Sequence, residues 1–405
     1  MKHKPEPVLC FKIMLILFIT IGISGGGCHK NNNPIGPPVD STLASHGSLD
    51  TADGIVLLST DYDSNRSSSG SLTVLNLNGT LRWKDEFVGE ALASPAYGNG
   101  VLFVSSSYGK LTAINAKTGS VIWTYKNNET TSSVPVVDHG TVFWPQNYLL
   151  YGFDVSTGNL TWLQSIPNLL PYAPVVDGNI LYTISASFNT ANYSISAVDT
   201  LSKSTLWTSS IGYNPPAGLL IAGGLLCFTN GIGNLVALDK TTGLQKWIVS
   251  DQQYDGQHIV VGNYIYTFNH TSPLDLYAFD VRTGGNLWQW KYQQSPIASF
   301  YGLYLYNGNV YAYGSDFINQ FLAGVKPSTG DSVSINHFVW YYENPIFCGG
   351  SVYALRNPNY NPSAPQTKIM VLDPASFVAK DSLTLTGSGY QSMSIMTKSG
   401  KLLYN

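Results

Sequence analysis

The sequence predicts an all-β protein, an eight-bladed β-propeller made of four-stranded antiparallel blades. Two observations lead to this prediction. Six of the nine Trp residues recur at intervals of 40, 39, 45, 40 and 41 residues. Short apolar runs alternate with turns rich in Gly, Asn and Asp over the same region. A repeat of about 40 residues with four short strands and one aromatic anchor is typical of propeller blades.

The clearest copy of the repeat ends at Trp247. Ala237 is followed by Asp239, then by Gly243, and finally by Trp247. The Asp side chain can bond backbone N–H groups in a turn and Gly can take a positive φ, so this spacing predicts a hairpin. Six copies carry a Trp that is expected to anchor each blade to its neighbour, and these are Trp83, Trp123, Trp162, Trp207, Trp247 and Trp288.

Four copies depart from the pattern. The first, at Asn76, Gly79 and Trp83, has a turn that is one residue shorter. The copy at Asp199 and Trp207 lacks the Gly, and a longer turn is expected there. A seventh copy keeps Gly330 but has Ser334 in the Trp position, and an eighth keeps Asp373 and lacks both Gly and Trp. The copies together give eight blades. Five Asp side chains are expected to cap the repeat turns, namely Asp154, Asp199, Asp239, Asp280 and Asp373.

The chain after the eighth copy resembles the start of another unit. Residues 390–404 again combine an apolar run with a turn. We expect this hairpin to pair with the first blade, because closure of the ring removes an exposed sheet edge. No helical periodicity of useful length is visible after residue 24.

Residues 1–27 are expected to be a signal peptide. Lys2, Lys4 and Lys12 precede an apolar run at 13–23. That run is shorter than the roughly 20 residues that a membrane-spanning helix needs. The segment therefore predicts export, with removal of the leader.

A cysteine follows the small residues that end this leader. Cys28 and the Ser-Gly-Gly-Gly before it resemble the lipobox of bacterial lipoproteins, with Gly25 where Leu is more usual. The resemblance implies that Cys28 is lipidated and becomes the first residue of the mature chain. Residues 28–45 are polar and rich in Pro and Gly, so we expect a flexible tether. Residues 46–405 are then the propeller.

Composition narrows the function further. Only 11% of the residues are charged, the formal net charge is −3 and no basic stripe is visible, which disfavours nucleic-acid binding. No acidic residue occurs between Cys28 and Asp40, which favours an outer-membrane protein facing the periplasm over one on the cell surface. Cys227 and Cys348 lie three repeats apart and are expected to be unpaired.

The spacing Ala-x-Asp-x-x-x-Gly-x-x-x-Trp resembles the tryptophan-docking repeat of pyrroloquinoline-quinone (PQQ)-type propellers. The resemblance covers about residues 50–390. In that family the Trp stacks between blades and eight blades is the usual number. The family includes quinoprotein alcohol dehydrogenases and also BamB, the lipoprotein of the outer-membrane β-barrel assembly machine, and the latter is the type that this chain is expected to follow.

The quinoprotein resemblance implies residues that this chain lacks. Those enzymes have a vicinal Cys-Cys disulfide beside the cofactor, calcium ligands and a catalytic Asp. No two cysteines are adjacent here, and the acidic residues lie mostly in the repeat turns. The sequence therefore predicts no catalytic residue, no bound cofactor and no metal. A PQQ-dependent dehydrogenase remains an alternative.

One loop has the oxygen spacing of a calcium site. Asp61, Asp63, Asn65 and Ser67 occupy alternate positions, but Arg66 stands where Gly is required. No His pair has metal-ligand spacing on one strand. We therefore interpret residues 61–67 as a polar loop, with calcium binding as the alternative.

The sequence leads to a functional hypothesis. The protein is expected to be a monomeric, non-enzymatic lipoprotein of the bacterial cell envelope, anchored to the membrane at Cys28. Its propeller would bind other envelope proteins, as in outer-membrane protein assembly. A second alternative is a surface lipoprotein that binds a glycan or another extracellular ligand, because aromatic side chains such as Tyr301 and Tyr306 are abundant.

Overall fold

The described residues form 33 β-strands in eight antiparallel sheets, which are the eight blades of a β-propeller in this computed structural model. The predicted fold class is thus confirmed. All of them belong to one compact unit, Pro34–Asn405. The structure describes residues 52–403 except 63–67, 89, 91, 129–132, 167–173, 188–191, 251–252, 255–256, 270–273, 294–297, 317–318, 339–342, 357–366, 386–389 and 400–401.

Blade 1 combines strands from both ends of the described chain. Strand β1 (Ala52–Tyr62) pairs with β2 (Ser68–Leu75) on one side and with β32 (Tyr390–Thr397) on the other, both antiparallel. Strand β3 (Leu81–Phe87) pairs with β2, and β33 (Leu402–Leu403) pairs with β32. The predicted closing hairpin is therefore present, and it joins the last strands to the first blade.

Blades 2 to 8 each contain four consecutive strands, hydrogen-bonded in chain order. Blades 2 to 4 comprise β4 (Ala96–Gly98), β5 (Val101–Ser106), β6 (Lys110–Asn115), β7 (Val121–Lys126), β8 (Val136–Asp138), β9 (Thr141–Gln146), β10 (Leu149–Asp154), β11 (Leu160–Ser165), β12 (Val175–Asp177), β13 (Ile180–Ser187), β14 (Asn192–Asp199) and β15 (Ser204–Tyr213). Blades 5 to 8 comprise β16 (Ala217–Ala222), β17 (Leu225–Thr229), β18 (Leu235–Asp239), β19 (Gln245–Val249), β20 (Ile259–Val261), β21 (Tyr264–Phe268), β22 (Asp275–Asp280), β23 (Asn286–Lys291), β24 (Ser299–Tyr306), β25 (Asn309–Ser315), β26 (Gln320–Val325), β27 (Ser332–Phe338), β28 (Glu343–Cys348), β29 (Ser351–Arg356), β30 (Lys368–Leu372) and β31 (Ala379–Thr384).

The position of a strand within its blade determines its burial. The first strands of neighbouring blades contact one another, for example β4 with β8 and β12 with β16, so they line the centre. The middle strand β5 is buried at every residue, whereas the outer strand β7 contains only exposed and half-buried residues. Middle strands are continuous apolar runs because a neighbouring blade covers each of their faces. The Trp residues of the repeat all lie on outer strands.

The hydrophobic core lies between blades. One cluster joins Tyr182 and Ile195 of blade 4 to Phe228, Val236 and Leu238 of blade 5, and comparable clusters fill the other interfaces. Cys227 and Cys348 are both buried and do not form a disulfide with each other, which confirms that prediction. The part of the chain that the structure describes contains no helix long and apolar enough to cross a membrane.

Candidate functional site

Five of the six repeat Trp side chains join neighbouring blades by the same hydrogen bond. The indole Nε1–H of Trp247 donates to the carbonyl oxygen of Val281 at 2.9 Å, and Val281 follows Asp280 in the last turn of the next blade. Each bond links an outer strand to that turn and so connects two neighbouring blades. The equivalent pairs are Trp83 with Ala116, Trp123 with Val155, Trp207 with Lys240, and Trp288 with Pro327.

The turn glycine lies against the indole ring of the preceding blade. A Cβ placed on Gly284 would lie 2.8 Å from atoms of the Trp247 ring, and Gly284 has a φ of 69°. Glycine meets both requirements, because it tolerates positive φ and leaves room for the ring. The same close approach occurs between Gly119 and Trp83, Gly158 and Trp123, Gly243 and Trp207, and Gly330 and Trp288.

The predicted Asp caps lie in these turns and accept backbone hydrogen bonds. Asp239 Oδ1 accepts the N–H groups of Thr241 and Thr242 at 2.9 and 3.1 Å. The hydrogen bond from the Thr241 hydroxyl, together with the backbone bonds and Lys246, holds the pKa of Asp239 well below its ordinary value. Four further Asp side chains accept backbone N–H groups in the same way, at Asp154, Asp199, Asp280 and Asp373.

The interface between blades 3 and 4 departs from this arrangement. The expected longer turn after Asp199 is wrong, because the strand register equals that of the other copies and Lys203 occupies the glycine position with a φ of 56°. Lys203 has a Cβ where the five turns that receive an indole have glycine, so an indole cannot approach this turn as closely. Within the described residues, Trp162 Nε1 is buried and has no hydrogen-bond partner.

Blade 7 replaces its missing Trp with a tyrosine from its first strand. Tyr304 Oη donates to the carbonyl oxygen of Pro374 at 3.0 Å, and Pro374 occupies the acceptor position that follows Asp373. Burial raises the pKa of Tyr304 well above its ordinary value. Phe377 occupies the glycine position there with a φ of 56°. Sequence reasoning missed this substitution, because the replacement donor is far from the Trp position along the chain.

Two polar clusters lie in blades 6 and 7, outside the repeat turns. Asp275 is buried, its Oδ2 accepts a hydrogen bond from Gln289 Nε2, and its Oδ1 has no partner within the described residues. Asp316 Oδ2 lies 3.4 Å from Tyr292 Oη and 3.8 Å from His337 Nδ1. Burial, followed by the Asp316 charge, raises the pKa of Tyr292.

The candidate metal residues are not gathered into a site. Over the described ranges no group of three or more His, Cys, Asp or Glu side chains could hold a metal ion. His258 is buried between the hydroxyls of Thr229 and Thr267, each at 2.9 Å. The side chain of Asp61, residues 63–67 and Cys28 lie outside the described residues, so the calcium loop and the lipidation site stay predictions.

Ten of the 19 exposed large hydrophobic side chains among the described residues lie on the outer strands. Ile122 and Leu206, each directly before a repeat Trp, are 42% and 52% exposed. Because outer strands also have one unpaired edge, the rim of the propeller combines apolar side chains with free backbone groups. Further exposed examples on outer strands are Leu81, Val121, Leu160, Leu163, Tyr213, Ile248, Leu287 and Val333.

These features define the class of the protein, which is an eight-bladed propeller of the tryptophan-docking type. The model of a family described as outer membrane protein assembly factor BamB matches residues 68–290 and 146–335. This chain belongs to that family, which confirms the resemblance to PQQ-type propellers of the BamB kind.

Individual relatives are more distant. A tetrathionate hydrolase of Acidithiobacillus ferrooxidans is 25% identical over 307 residues, which are 71% of this chain and 54% of the relative. BamB of Moranella endobia is 25% identical over 189 residues, which are 42% of this chain and 47% of the relative. The chain spans about half the length of the curated relatives it matches. The crystal structure of BamB from Moraxella catarrhalis has the same fold, with a TM-score of 0.54 and 16% identity over 77% of this chain and 95% of that one.

Proposed function

We propose that this protein is a lipid-anchored scaffold of the bacterial cell envelope whose propeller binds other envelope proteins during outer-membrane protein assembly. The observation that carries the proposal is the rim, where outer strands expose apolar side chains beside unpaired backbone edges. Exposed apolar patches mark protein-binding surfaces, and unpaired strand edges accept a further strand. Membership of the BamB family supports the same function.

The Trp hydrogen bonds between neighbouring blades suit such a scaffold. Five indole hydrogen bonds fix outer strands to neighbouring blades, so the rim is ordered before a partner arrives. A preorganised surface loses less conformational entropy on binding than a flexible one does. The pairing of β1 with β32 also closes the ring. We propose that the protein acts as a monomer. A single mass of one chain in light scattering is the expected result.

Site-specific photo-cross-linking in intact cells tests the scaffold. A photoreactive residue at Ile122, Leu163 or Leu206 is expected to capture an envelope protein, because these side chains lie on the rim. Thr118 is the matched control, since it is exposed in the turn directly before β7. Cross-links from Thr118 that equal those from Ile122, or none from any rim position, would contradict the proposal.

The anchor has a separate test. We propose that Cys28 carries the lipid, because small residues precede it and a polar tether follows it. Cys28→Ala should abolish incorporation of labelled palmitate and release the protein from the membrane fraction. Cys227→Ala is the control and should change neither. Palmitate incorporation in the Cys28→Ala chain would contradict the anchor and leave the scaffold untouched.

Tetrathionate hydrolysis is a second candidate. It is favoured by one observation, that the match to the hydrolase covers 71% of this chain, compared with 42% for BamB of Moranella endobia. Loss of tetrathionate, followed by ion chromatography in the presence of the purified protein, would support it. Unchanged tetrathionate after prolonged incubation would remove this candidate.

A further inference from the structure

A cleft of about 230 Å³ opens between blades 4 and 5. Strand β15 forms one wall, and strands of blade 5 form the other. The walls are mostly apolar at their centre, with Phe228, Val236 and Leu238 buried and Ile248 at the rim. This space lies beside the turn that carries Gly243 and Leu244, and outside the polar clusters of blades 6 and 7.

One residue that lines the cleft, Ser209, has an unusually small side chain for its position. In the strand register every outer strand has a residue two positions after the Trp position, facing the next blade. In blade 4 this residue is Ser209, which has the smallest side chain of the eight. The corresponding residues of the other blades are Asp85, Tyr125, Gln164, Val249, Trp290, Asn336 and Leu383.

Blade 2 shows what fills this space elsewhere. The ring of Tyr125 packs against Trp144, Tyr151 and Phe153 of blade 3, with centroid distances of 6.3, 5.7 and 4.6 Å. In blade 3, Phe143 of β9 pairs with Gly152 of β10. In blade 5, Cys227 of β17 pairs with Ala237 of β18.

In this register, the three residues that contact Tyr125 occupy the same positions in blade 3 as three residues that line the cleft occupy in blade 5. Trp144 corresponds to Phe228. Tyr151 and Phe153, on either side of Gly152, correspond to Val236 and Leu238, on either side of Ala237. The cleft is therefore the volume that the Tyr125 ring fills in blade 2, enlarged by smaller wall residues.

We propose that this cleft binds one aromatic ring of the phenol or indole class. An engineered apolar cavity of about 150 Å³ binds benzene, so the present volume accommodates a six-membered ring with a substituent. A polar substituent faces the open end, where Ser210 and Gln245 are exposed. Ser209 is already occupied, because its Oγ donates to the carbonyl oxygen of Gly243 at 2.5 Å. This inference does not depend on the proposed scaffold function.

The test uses p-cresol as the probe, with binding followed by ligand-observed NMR and calorimetry. We expect saturable binding of one p-cresol per chain with a dissociation constant in about the millimolar range, as its few atoms allow. Ser209→Tyr should weaken binding at least about tenfold, because the new ring occupies the cleft. Ser209→Ala loses the Gly243 bond but keeps the space, so binding should persist.

Two further variants keep the test decisive. If Ser209→Tyr does not fold, Val236→Phe narrows the cleft from the opposite wall and should weaken binding as well. Tyr125→Ser should open a second cleft between blades 2 and 3 and add a second binding event. Equal binding by the native chain and the filled variants, or no saturation up to about 10 mM, would overturn the proposal.

The source of the ring is resolved by a second probe. N-acetyl-tyrosinamide carries the same phenol with flanking peptide groups. Tighter binding of this compound than of p-cresol would show that the cleft receives a side chain of a protein. Weaker binding would show that it receives a free aromatic compound. Each result upholds the aromatic site provided that Ser209→Tyr weakens binding of the same compound at least about tenfold.

Discussion

Trp247 and Gly284 belong to neighbouring blades, yet a single added Cβ on Gly284 would lie 2.8 Å from the indole ring. The same turn supplies the Val281 carbonyl oxygen that accepts the indole N–H. One Trp therefore packs against a turn and hydrogen-bonds to it. Each repeat residue has its own role in this contact. Asp caps the turn, Gly leaves room for the ring, and Trp supplies the ring and the hydrogen-bond donor.

Removing the ring should cause the largest loss. Trp247 is 9% exposed, so Trp247→Ala is expected to lower the free energy of unfolding by about 3–5 kcal/mol through lost burial and the cavity left behind. Urea denaturation followed by circular dichroism measures the change. A loss below about 1 kcal/mol would exclude a docking role for this side chain.

The indole hydrogen bond can be separated from the burial of the ring. Trp247→Phe removes the donor to Val281, whereas Trp162→Phe removes an N–H that has no partner within the described residues. Both changes lose similar apolar area. Trp247→Phe is therefore expected to cost about 1 kcal/mol more than Trp162→Phe. Equal unfolding free energies for the two variants would show that the bond contributes nothing to stability.

The close approach of glycine and indole gives a third prediction. Gly284→Ala combines a positive φ with a collision against Trp247, whereas Gly308→Ala has a φ of 73° and nothing within 4 Å of the new Cβ. The Gly308 variant should lose only the conformational term, about 1–2 kcal/mol. The Gly284 variant should lose about 1–3 kcal/mol more because of overpacking. Thermal unfolding of both variants checks this, and a larger loss at Gly308 would contradict it.

The fold could be predicted because the same contact recurs between successive blades. Asp, Gly and Trp recur at fixed spacing since they meet the same contact in successive blades, and the count of eight followed from the spacing. The conformation of the turn at Lys203 could not be predicted, because residue type does not reveal a positive φ at a non-glycine residue.

Features that depend on two distant segments could not be predicted. Tyr304 replaces the Trp of blade 7 from a different strand, so no spacing within the repeat indicates it. The cleft beside Ser209 depends on Phe228, Val236 and Leu238 of the following blade. The sequence contains each of these residues, but only the strand register shows that they face one another.

Substitution of glycine for Lys203 and for Phe377 should change the stability of the protein in opposite directions. Lys203 is exposed and holds a φ of 56°, so Lys203→Gly is expected to stabilise the protein by about 1 kcal/mol by relieving the backbone. Phe377 has the same φ but is buried among aromatic rings, including Phe338 at 5.3 Å between centroids. Phe377→Gly should therefore destabilise by several kcal/mol, about 3–5. Urea midpoints that move in the same direction for both would contradict this account.

The turn carboxylates make stability depend on acid pH. The pKa of Asp239 is lowered in the folded state by the Thr241 hydroxyl, the backbone N–H groups and Lys246. Because the pKa of Asp239 is lowered by folding, its ionised carboxylate contributes to the free energy of unfolding. This contribution is fully present above the ordinary pKa of Asp, about 3.9. That contribution is lost as the pH falls from there towards the folded pKa. The native protein should therefore become less stable with acid over this window.

Asp239→Asn tests the source of that dependence. Asn fits the turn, because Asn115 of blade 2 accepts the N–H groups of Lys117 and Thr118 at 3.0 Å in the same position. The variant should lose some stability at neutral pH, and its urea midpoint should fall less steeply than that of the native chain between about pH 4 and pH 2. Parallel pH profiles for the two proteins would show that Asp239 does not titrate in this window. Asn115→Asp should have the opposite effect and steepen the profile, because it adds a carboxylate to an equivalent turn.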